Sequence, residues 1–337
     1  MERMTIKKIA NITGLSVGTV SNVINKSLYV KEKNRNKVLK VIEKYNYKPN
    51  KIASSLVKRK TKNIGFIIPD ITNPYFPDIL RGVQDFFLSK NYYVFLCNSD
   101  GDIKKENGFL EDLADMWVDG IILDPCTSLR NTDILKKLQV PVVLIDRSIK
   151  GYKSDIVEVD NENGAYKMTK LLIDNGHKII LGLHHSRELS TAISRYNGWK
   201  RALNEKDLFN EELSFWGSAS ISNGYDFMKK ILKKINKFDA IFVSNDVSAI
   251  GVINYLQDKG FKVPGDISIA GFDDIYLSKY INPPLTTFRN YTYKMGEVAA
   301  DIMLRKIESA IKKPPQKIII KGEVIIRNSV KNRIKVK

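Results

Sequence analysis

The sequence is short of the residues that staple or metallate a small protein. Its 337 residues include two cysteines, Cys97 and Cys126, three histidines and three tryptophans. Two cysteines cannot build a disulfide framework, and both end apolar runs, where a reduced, buried thiol is the ordinary reading. His177, His184 and His185 have no cysteine at ligand spacing, and adjacent histidines do not share a helix face, so no metal site is expected. No Gly-x-Gly-x-x-Gly or Walker-type run is present to seat a phosphate, and no cofactor is expected. No stretch approaches the roughly 20 apolar residues that span a bilayer. Met1 to Ala10 carries charges and lacks the apolar core of a secretory signal. A cytoplasmic protein that keeps away from membranes is expected.

Gly14-Leu15-Ser16-Val17-Gly18 fits the nucleophile-elbow pattern of hydrolases, but that elbow follows a strand, and Ile6 to Ile12 has helical spacing. Ser16 is better read as a helix cap. With no other nucleophile, metal or cofactor pattern, catalysis is not expected.

What is present is an uneven charge. The chain has 55 Lys+Arg and 37 Asp+Glu, a formal +18. Residues 1–62 hold 16 and 3 of these, net +13, and the rest hold 39 and 34, net +5. A basic head therefore precedes a nearly balanced body, as a polyanionic partner would require.

In the head, Thr5 can cap a first helix with an apolar stripe of Ile6, Ile9, Ala10 and Ile12, and Gly14 permits the turn after it. Ser16 then caps a second helix, Val17 to Asn25. Val20, Val23 and Ile24 face inward there, leaving Val17, Gly18, Thr19, Ser21 and Asn22 outside. Glu32 to Tyr45 predicts a third helix buried through Val38, Leu39 and Ile42. The small Ala10 at the crossing, Gly14 in the turn and Val20 as wedge give helix-turn-helix spacing. An αα-hairpin of no special function shares that spacing. The small, hydroxyl-rich outer face and the surrounding charge favour a helix that enters the major groove. Asn50 to Val57 is too short to be helical alone in water and would fold only when docked.

Thr5-Ile-Lys-Lys-Ile-Ala, Gly14-Leu-Ser-Val-Gly-Thr-Val-Ser21, Tyr47-Lys-Pro-Asn50 and Ala53-Ser-Ser-Leu56 stand in order along the head. Asn73-Pro-Tyr-Phe76, Asp119-Gly-Ile-Ile122 and Gly271-Phe-Asp-Asp274 follow in the body. In these phrases and their order the chain resembles, over nearly its whole length, the lactose-repressor/galactose-repressor (LacI/GalR) family of bacterial transcription regulators. The resemblance implies an operator-binding dimer that touches DNA through Thr5, Ser16, Val17, Gly18, Thr19, Ser21, Asn22 and Asn25. It adds Tyr47 and a hinge helix with Asn50, Ala53 and Leu56. Leu56 would wedge into the minor groove, although without the resemblance it would be read as packing on Ile52. Two departures stand out. Asn22 occupies the place of a frequent arginine, and asparagine pairs better with adenine; Ser54 replaces an arginine in the hinge.

In the body, apolar runs at Ile64–Ile68, Tyr92–Leu96, Gly120–Leu123, Pro141–Ile145, Ile179–Leu183, Ala240–Val243 and Ile267–Ala270 alternate with amphipathic stretches. Continuous apolar strands between helices predict doubly wound parallel sheets, and seven exceed one minimal domain, so two lobes follow. Polar residues trail the strands: Asp70 to Tyr75, Asn98 to Asp100, Asp124, Asp146, Asn245-Asp246 and Asp273-Asp274. Two such rims face to face would enclose a cleft suited to sugar hydroxyls.

The resemblance implies a periplasmic-binding-protein-like (type I) fold with effector residues Tyr75, Asp146, Arg195, Trp216, Asn245 and Asp273. Read without it, Asn245 and Asp273 could be caps or turn residues, Trp216 core, and Arg195 half of a surface ion pair. The expected organisation is a helix-turn-helix domain at 1–48, hinge and linker at 49–62, and a two-lobed α/β body at 63–337. The first lobe would take about 63–160 and 288–320, the second about 161–287 and 321–330. Some family members carry a C-terminal leucine-repeat helix, for which this chain shows no room, so a homodimer on a pseudo-palindromic operator is expected. The expected function is a repressor of a carbohydrate operon, controlled by a sugar or sugar acid. A purine or protein co-regulator, or a solute receptor without a DNA role, are the alternatives.

Overall fold

The computed structural model describes residues 4–25, 29–47, 60–235, 237–309, 311 and 313–334. Its contacts divide the chain into Met1–Thr61 and Lys62–Lys337.

In the first unit, α1 (Ile6–Thr13), α2 (Val17–Ile24) and α3 (Glu32–Lys44) surround one small core. The Thr5 hydroxyl accepts from the Lys8 N–H at 3.3 Å, and Gly14 closes α1 at φ 65°, a left-handed conformation that costs a Cβ-bearing residue more. Ser16 caps α2 by accepting from the Thr19 N–H at 3.1 Å. Ile9, Ala10, Val20, Val23 and Val38 form the core, with Tyr47 packed against it. Two expectations are corrected. Ile12 is 49% and Leu39 46% exposed. The inward stripe of α1 is Ile6, Ile9, Ala10 and Thr13, the i, i+3, i+4, i+7 set, so Ile12 falls beside it. Thr13 is accepted inside because its hydroxyl donates to the Ile9 carbonyl at 2.8 Å. On α3 only Val38 is fully buried, and the helix rotates Leu39 outward.

The second unit begins with β1 (Asn63–Ile68), α4 (Tyr75–Ser89), β2 (Tyr93–Asn98), α5 (Ile103–Asp115), β3 (Gly120–Leu123), α6 (Asp133–Lys137), β4 (Val142–Ile145) and β5 (Asp155–Val159). A second lobe follows with α7 (Asn161–Asp174), β6 (Ile180–His184), α8 (Ser190–Asn204), β7 (Ser214–Trp216), α9 (Ile221–Ile231), β8 (Ala240–Val243), α10 (Asp246–Asp258) and β9 (Ser268–Ala270). The chain returns through β10 (Thr287–Arg289), α11 (Thr292–Glu308) and β11 (Lys317–Ile320), then crosses again into β12 (Glu323–Ile325). The first sheet has the order β11-β5-β4-β3-β1-β2, the second β7-β6-β8-β9, and both are parallel. An antiparallel ribbon of β10 and β12 lies among the crossings between lobes. The fold is therefore a helical head and a two-lobed α/β body.

Strand alternation puts a core on each face of both sheets. Ile64, Phe66 and Ile68 of β1 join one cluster and Ile67 the opposite one. The second lobe divides likewise, with Phe242 on one face and Ile241 and Val243 on the other. β2 is an edge strand that leaves Tyr93, Phe95 and Leu96 exposed. All seven apolar runs coincide with strands; β5, β7 and β10 were not legible, being short or interrupted by Asp155, Glu158, Ser214 and Arg289.

The helix pairs over the sheets meet backbone to backbone. A Cβ on Gly82 of α4 would sit 2.1 Å from the Tyr293 carbonyl oxygen of α11, and one on Gly296 of α11 would sit 2.2 Å from the Ile79 carbonyl oxygen. Gly198 seals α8 on α7, while Gly224 and Gly251 seal α9 on α10 in the same way. Gly82→Ala should lower stability by about 1–3 kcal/mol, as overpacking does. Gly108→Ala, at a helical position with nothing within 4 Å, should be neutral or stabilising by up to about 1 kcal/mol. Calorimetry on the two variants checks the contrast, and equal melting temperatures would count against the tight seam.

Candidate functional site

The carboxyl ends of β1, β4, β6, β8 and β9 converge on a small cavity. Tyr75, Asp146, Arg195, Asn245 and Asp273 all line it, together with Asn73, Phe76, Arg147, His185 and Thr191. Of the six effector residues expected from sequence, Trp216 alone is not among the lining. It packs in an aromatic group with His184 and Tyr196, ring centroids 5.0 and 5.2 Å away, and the Arg187 guanidinium lies 4.3 Å over its ring.

Arg195 organises the site. It sits on α8 with 8% of its side chain exposed, so every donor it leaves unpaired would be costly. Its Nε donates to Asn161 Oδ1 at 2.7 Å, and Nη1 reaches the Ser244 carbonyl and Asp273 Oδ1, the latter at 3.1 Å. The guanidinium carbon also lies over the Phe272 ring, 4.0 Å from its centroid. Tyr75 opens α4 and donates to Asp146 Oδ1 at 2.7 Å. Arg147 donates to the Pro125 carbonyl at 3.1 Å, with Nε 3.5 Å from Asp124 and 3.7 Å from Asp146. Asn245 is a cap as well as a cleft residue, since its side chain accepts from the Ser248 N–H at 2.9 Å.

Sequence reasoning passed over Arg147, Asn161, His185 and Asn290. Arg147 follows Asp146 directly and was the most legible of the four. Asn290 Nδ2 donates to Asp273 Oδ1 at 3.0 Å from the crossing into α11, a position no spacing rule marks.

Burial governs the electrostatics. Desolvation raises Asp273 to about 8, with the Arg195 charge pulling in the opposite direction. It raises Asp246 to about 7, although Ser278, Thr287 and the Ile275 N–H all donate to that carboxylate. Asp124, buried beside Arg147 and Asp146, is also pushed well up, chiefly by desolvation. His185 is held down at about 3 by burial and then by Arg147 and Arg195. Its Nδ1 accepts from the Ser186 N–H at 2.6 Å, which leaves the proton on Nε2 as a neutral donor.

In the head, Val17, Gly18 and Asn22 are exposed on α2, Thr19 and Ser21 are half-buried, and Asn25 is exposed at its end. Several of the expected contact residues have structural duties as well. Thr5 and Ser16 are caps, and Asn25 Nδ2 donates to the Ser21 carbonyl at 2.9 Å. Tyr47 is half-buried on the core. Asn50, Ala53 and Leu56, with the expected hinge, lie outside the described residues.

The model of bacterial regulatory proteins of the lacI family matches residues 5–50, and that of the periplasmic binding protein-like domain matches 169–330. The HTH-type transcriptional repressor PurR of Histophilus somni (strain 129Pt) is 36% identical over 330 residues, covering 97% of this chain and 99% of that protein. The chain belongs to the lacI family. A lac repressor dimer bound to operator and the anti-inducer ONPF shares the fold, with a TM-score of 0.85 at 21% identity, covering 98% of this chain and 100% of that one. A lacI-family regulator from Enterococcus faecium with bound ribose is 29% identical, TM-score 0.72, covering 80% of this chain and 99% of that one. This lacI-family protein is thus a DNA-binding transcription regulator and not an enzyme. No helix among the described residues is long and apolar enough to cross a membrane.

The raised carboxyls fix the sign of one pH effect. An unfolded aspartate loses its proton near pH ~4, whereas folded Asp246 and Asp273 hold theirs to about 7 and about 8. Across that window the folded state binds more protons, so stability falls as pH rises. Melting temperatures of the ligand-free regulator should decline from pH ~4.5 to ~8, and Asp273→Asn should flatten the decline; an unchanged slope would remove Asp273 as its source.

Proposed function

We propose that this regulator is a cytoplasmic repressor of carbohydrate-utilisation genes, and that a sugar or sugar acid in the cleft sets its grip on a pseudo-palindromic operator. The observation that carries the reading is the lining itself. Acceptors on Asp146, Asn245 and Asp273 and donors on Arg147, Arg195 and His185 line one small space together with Phe76. Adjacent hydroxyls, each both donor and acceptor, match that mixture, and an apolar ring suits the C–H face of a pyranose or furanose. The ribose in the Enterococcus faecium relative supports the same class. Trp216 takes no part in this reading.

The head would act through α2 in the major groove, with Val17, Gly18 and Asn22 nearest the base edges and Thr19, Ser21 and the caps Thr5 and Ser16 toward phosphates. Asn25, Tyr47, Asn50, Ala53 and Leu56 complete the proposed DNA contacts. A homodimer is supported by the apolar edge of the first lobe, where Tyr93, Phe95 and Leu96 are exposed beside Leu88 at the end of α4. Domain limits at 1–48, 49–62 and 63–337 fit these roles.

A purine is the second reading, favoured by the name PurR on the curated relatives. Isothermal titration of the full chain with pentoses, hexoses, their acids and purine bases separates the two. A sugar class should bind, and Arg195→Ala should weaken it about 100-fold, the loss of two charge-assisted hydrogen bonds. Binding by purine bases alone would overturn the carbohydrate reading. For the head, Asn22→Ala should relax discrimination at one operator position by about 1–3 kcal/mol in anisotropy titrations. An identical sequence profile would take Asn22 out of base reading.

A further inference from the structure

The loop after β9 carries two aspartates in succession with positive φ, Asp273 at 114° and Asp274 at 52°. Asp273 lies outside the region that non-glycine residues ordinarily occupy, and such backbone persists only where its surroundings over-determine it. The surroundings here are two sets of contacts that point in opposite directions. Asp273 turns into the cleft and accepts from Arg195 and Asn290. Asp274, 7% exposed, turns away and accepts from two arginines at once, Arg289 Nε at 2.7 Å and Arg327 Nη2 at 2.7 Å.

Those arginines stand on the segments that join the lobes. Arg289 ends β10, just before the chain crosses into α11, and Arg327 follows β12, just after the chain crosses back. Arg289 and Glu323 are register partners, their side chains pair at 3.0 Å, and the Tyr291 hydroxyl donates to the same carboxylate at 2.8 Å. Two of the crossings are therefore fastened to each other, and Asp274 fastens both to the loop that bears Asp273. The backbone adds to the link: the Asp273 N–H donates to the Phe288 carbonyl at 2.8 Å, and residues 273 and 289 form a β-bridge.

We propose that Asp274 is a positioning residue through which the state of the cleft is passed to the crossing strands. Any rearrangement that draws Asp273 away from Arg195 turns the shared peptide between residues 273 and 274, and the buried carboxylate of Asp274 carries that turn to Arg289 and Arg327. A buried, doubly paired carboxylate suits the task because it cannot swing free without breaking its contacts to both guanidiniums. The inference rests on the cleft as effector site for its ligand arm and stands apart from it for the rest.

The test is hydrogen exchange by mass spectrometry on the full chain in four forms: wild type, Asp273→Asn, Asp274→Asn and the double variant. Asparagine tolerates left-handed backbone, so Asp274→Asn removes the charge and keeps the loop. Asp273→Asn should speed exchange in 287–291 and 321–327 about tenfold when Asp274 is present, and less than twofold when it is Asn, the signature of coupled rather than additive effects. The same acceleration in both backgrounds, or none in either, overturns the proposal. Should Asp274→Asn fail to fold, Arg327→Gln removes one arm of the clamp and takes its place in the cycle. In a second arm, D-ribose should raise the melting temperature of wild type and Asp274→Asn alike while protecting 287–291 and 321–327 only in the wild type. If D-ribose binds neither, the pentose form of the cleft reading fails, and the four-variant cycle still decides Asp274.

Discussion

A guanidinium buried between lobes needs acceptors from several directions at once, and Arg195 is the constraint on which the rest of the body depends. It draws Asn161 from the start of α7, the Ser244 carbonyl from the end of β8 and Asp273 from the loop after β9 toward one point. Removing any of them would leave an ionised group short of partners in a place where water cannot fully replace them. The cleft thus holds its shape through mutual satisfaction of its own polar groups. A ligand that enters must offer Arg195 and Asp273 contacts at least as good as those they already make.

The electrostatic character of the cleft follows from the same burial. Asp273 and Asp246 are held toward their neutral forms near pH 7, and His185 stays neutral chiefly through burial, with the Arg147 and Arg195 charges adding to it. Asp273 and His185 then stand as neutral groups beside the fixed positive charge of Arg147 and Arg195. That balance suits a polyhydroxylated ligand, and an acid group on it would meet Arg147 or Arg195 rather than a wall of carboxylates.

Much of this was readable beforehand, for physical reasons that differ between the parts. Strands covered on both faces must be apolar throughout, so β1, β3, β4, β6 and β8 declare themselves. β5 mixes Asp155 and Glu158 into the run because it lies toward the β11 side of the sheet. Five cleft residues were legible because they follow those strands or match phrases of the family. Trp216 stands apart from the cleft lining because β7 is a three-residue strand at the sheet edge and the ring packs in the His184 cluster. Asn161 and Asn290 escaped because each acts from a crossing, where the neighbours that give it meaning are distant in sequence. In the head, Ile12 and Leu39 misled because hydrophobicity alone cannot choose between adjacent helix faces when a threonine can satisfy its hydroxyl on its own backbone.

The glycine seams carry a mechanical corollary. Helices that touch through their main chains have no side-chain cushion to compress or repack, and each lobe has at least one such pair lying across its sheet. Deformation is therefore shut out of the lobes themselves and concentrated in the slender connections that join them. The body resembles two rigid plates on a short articulated stem, and the residues best placed to alter its response are those of the stem.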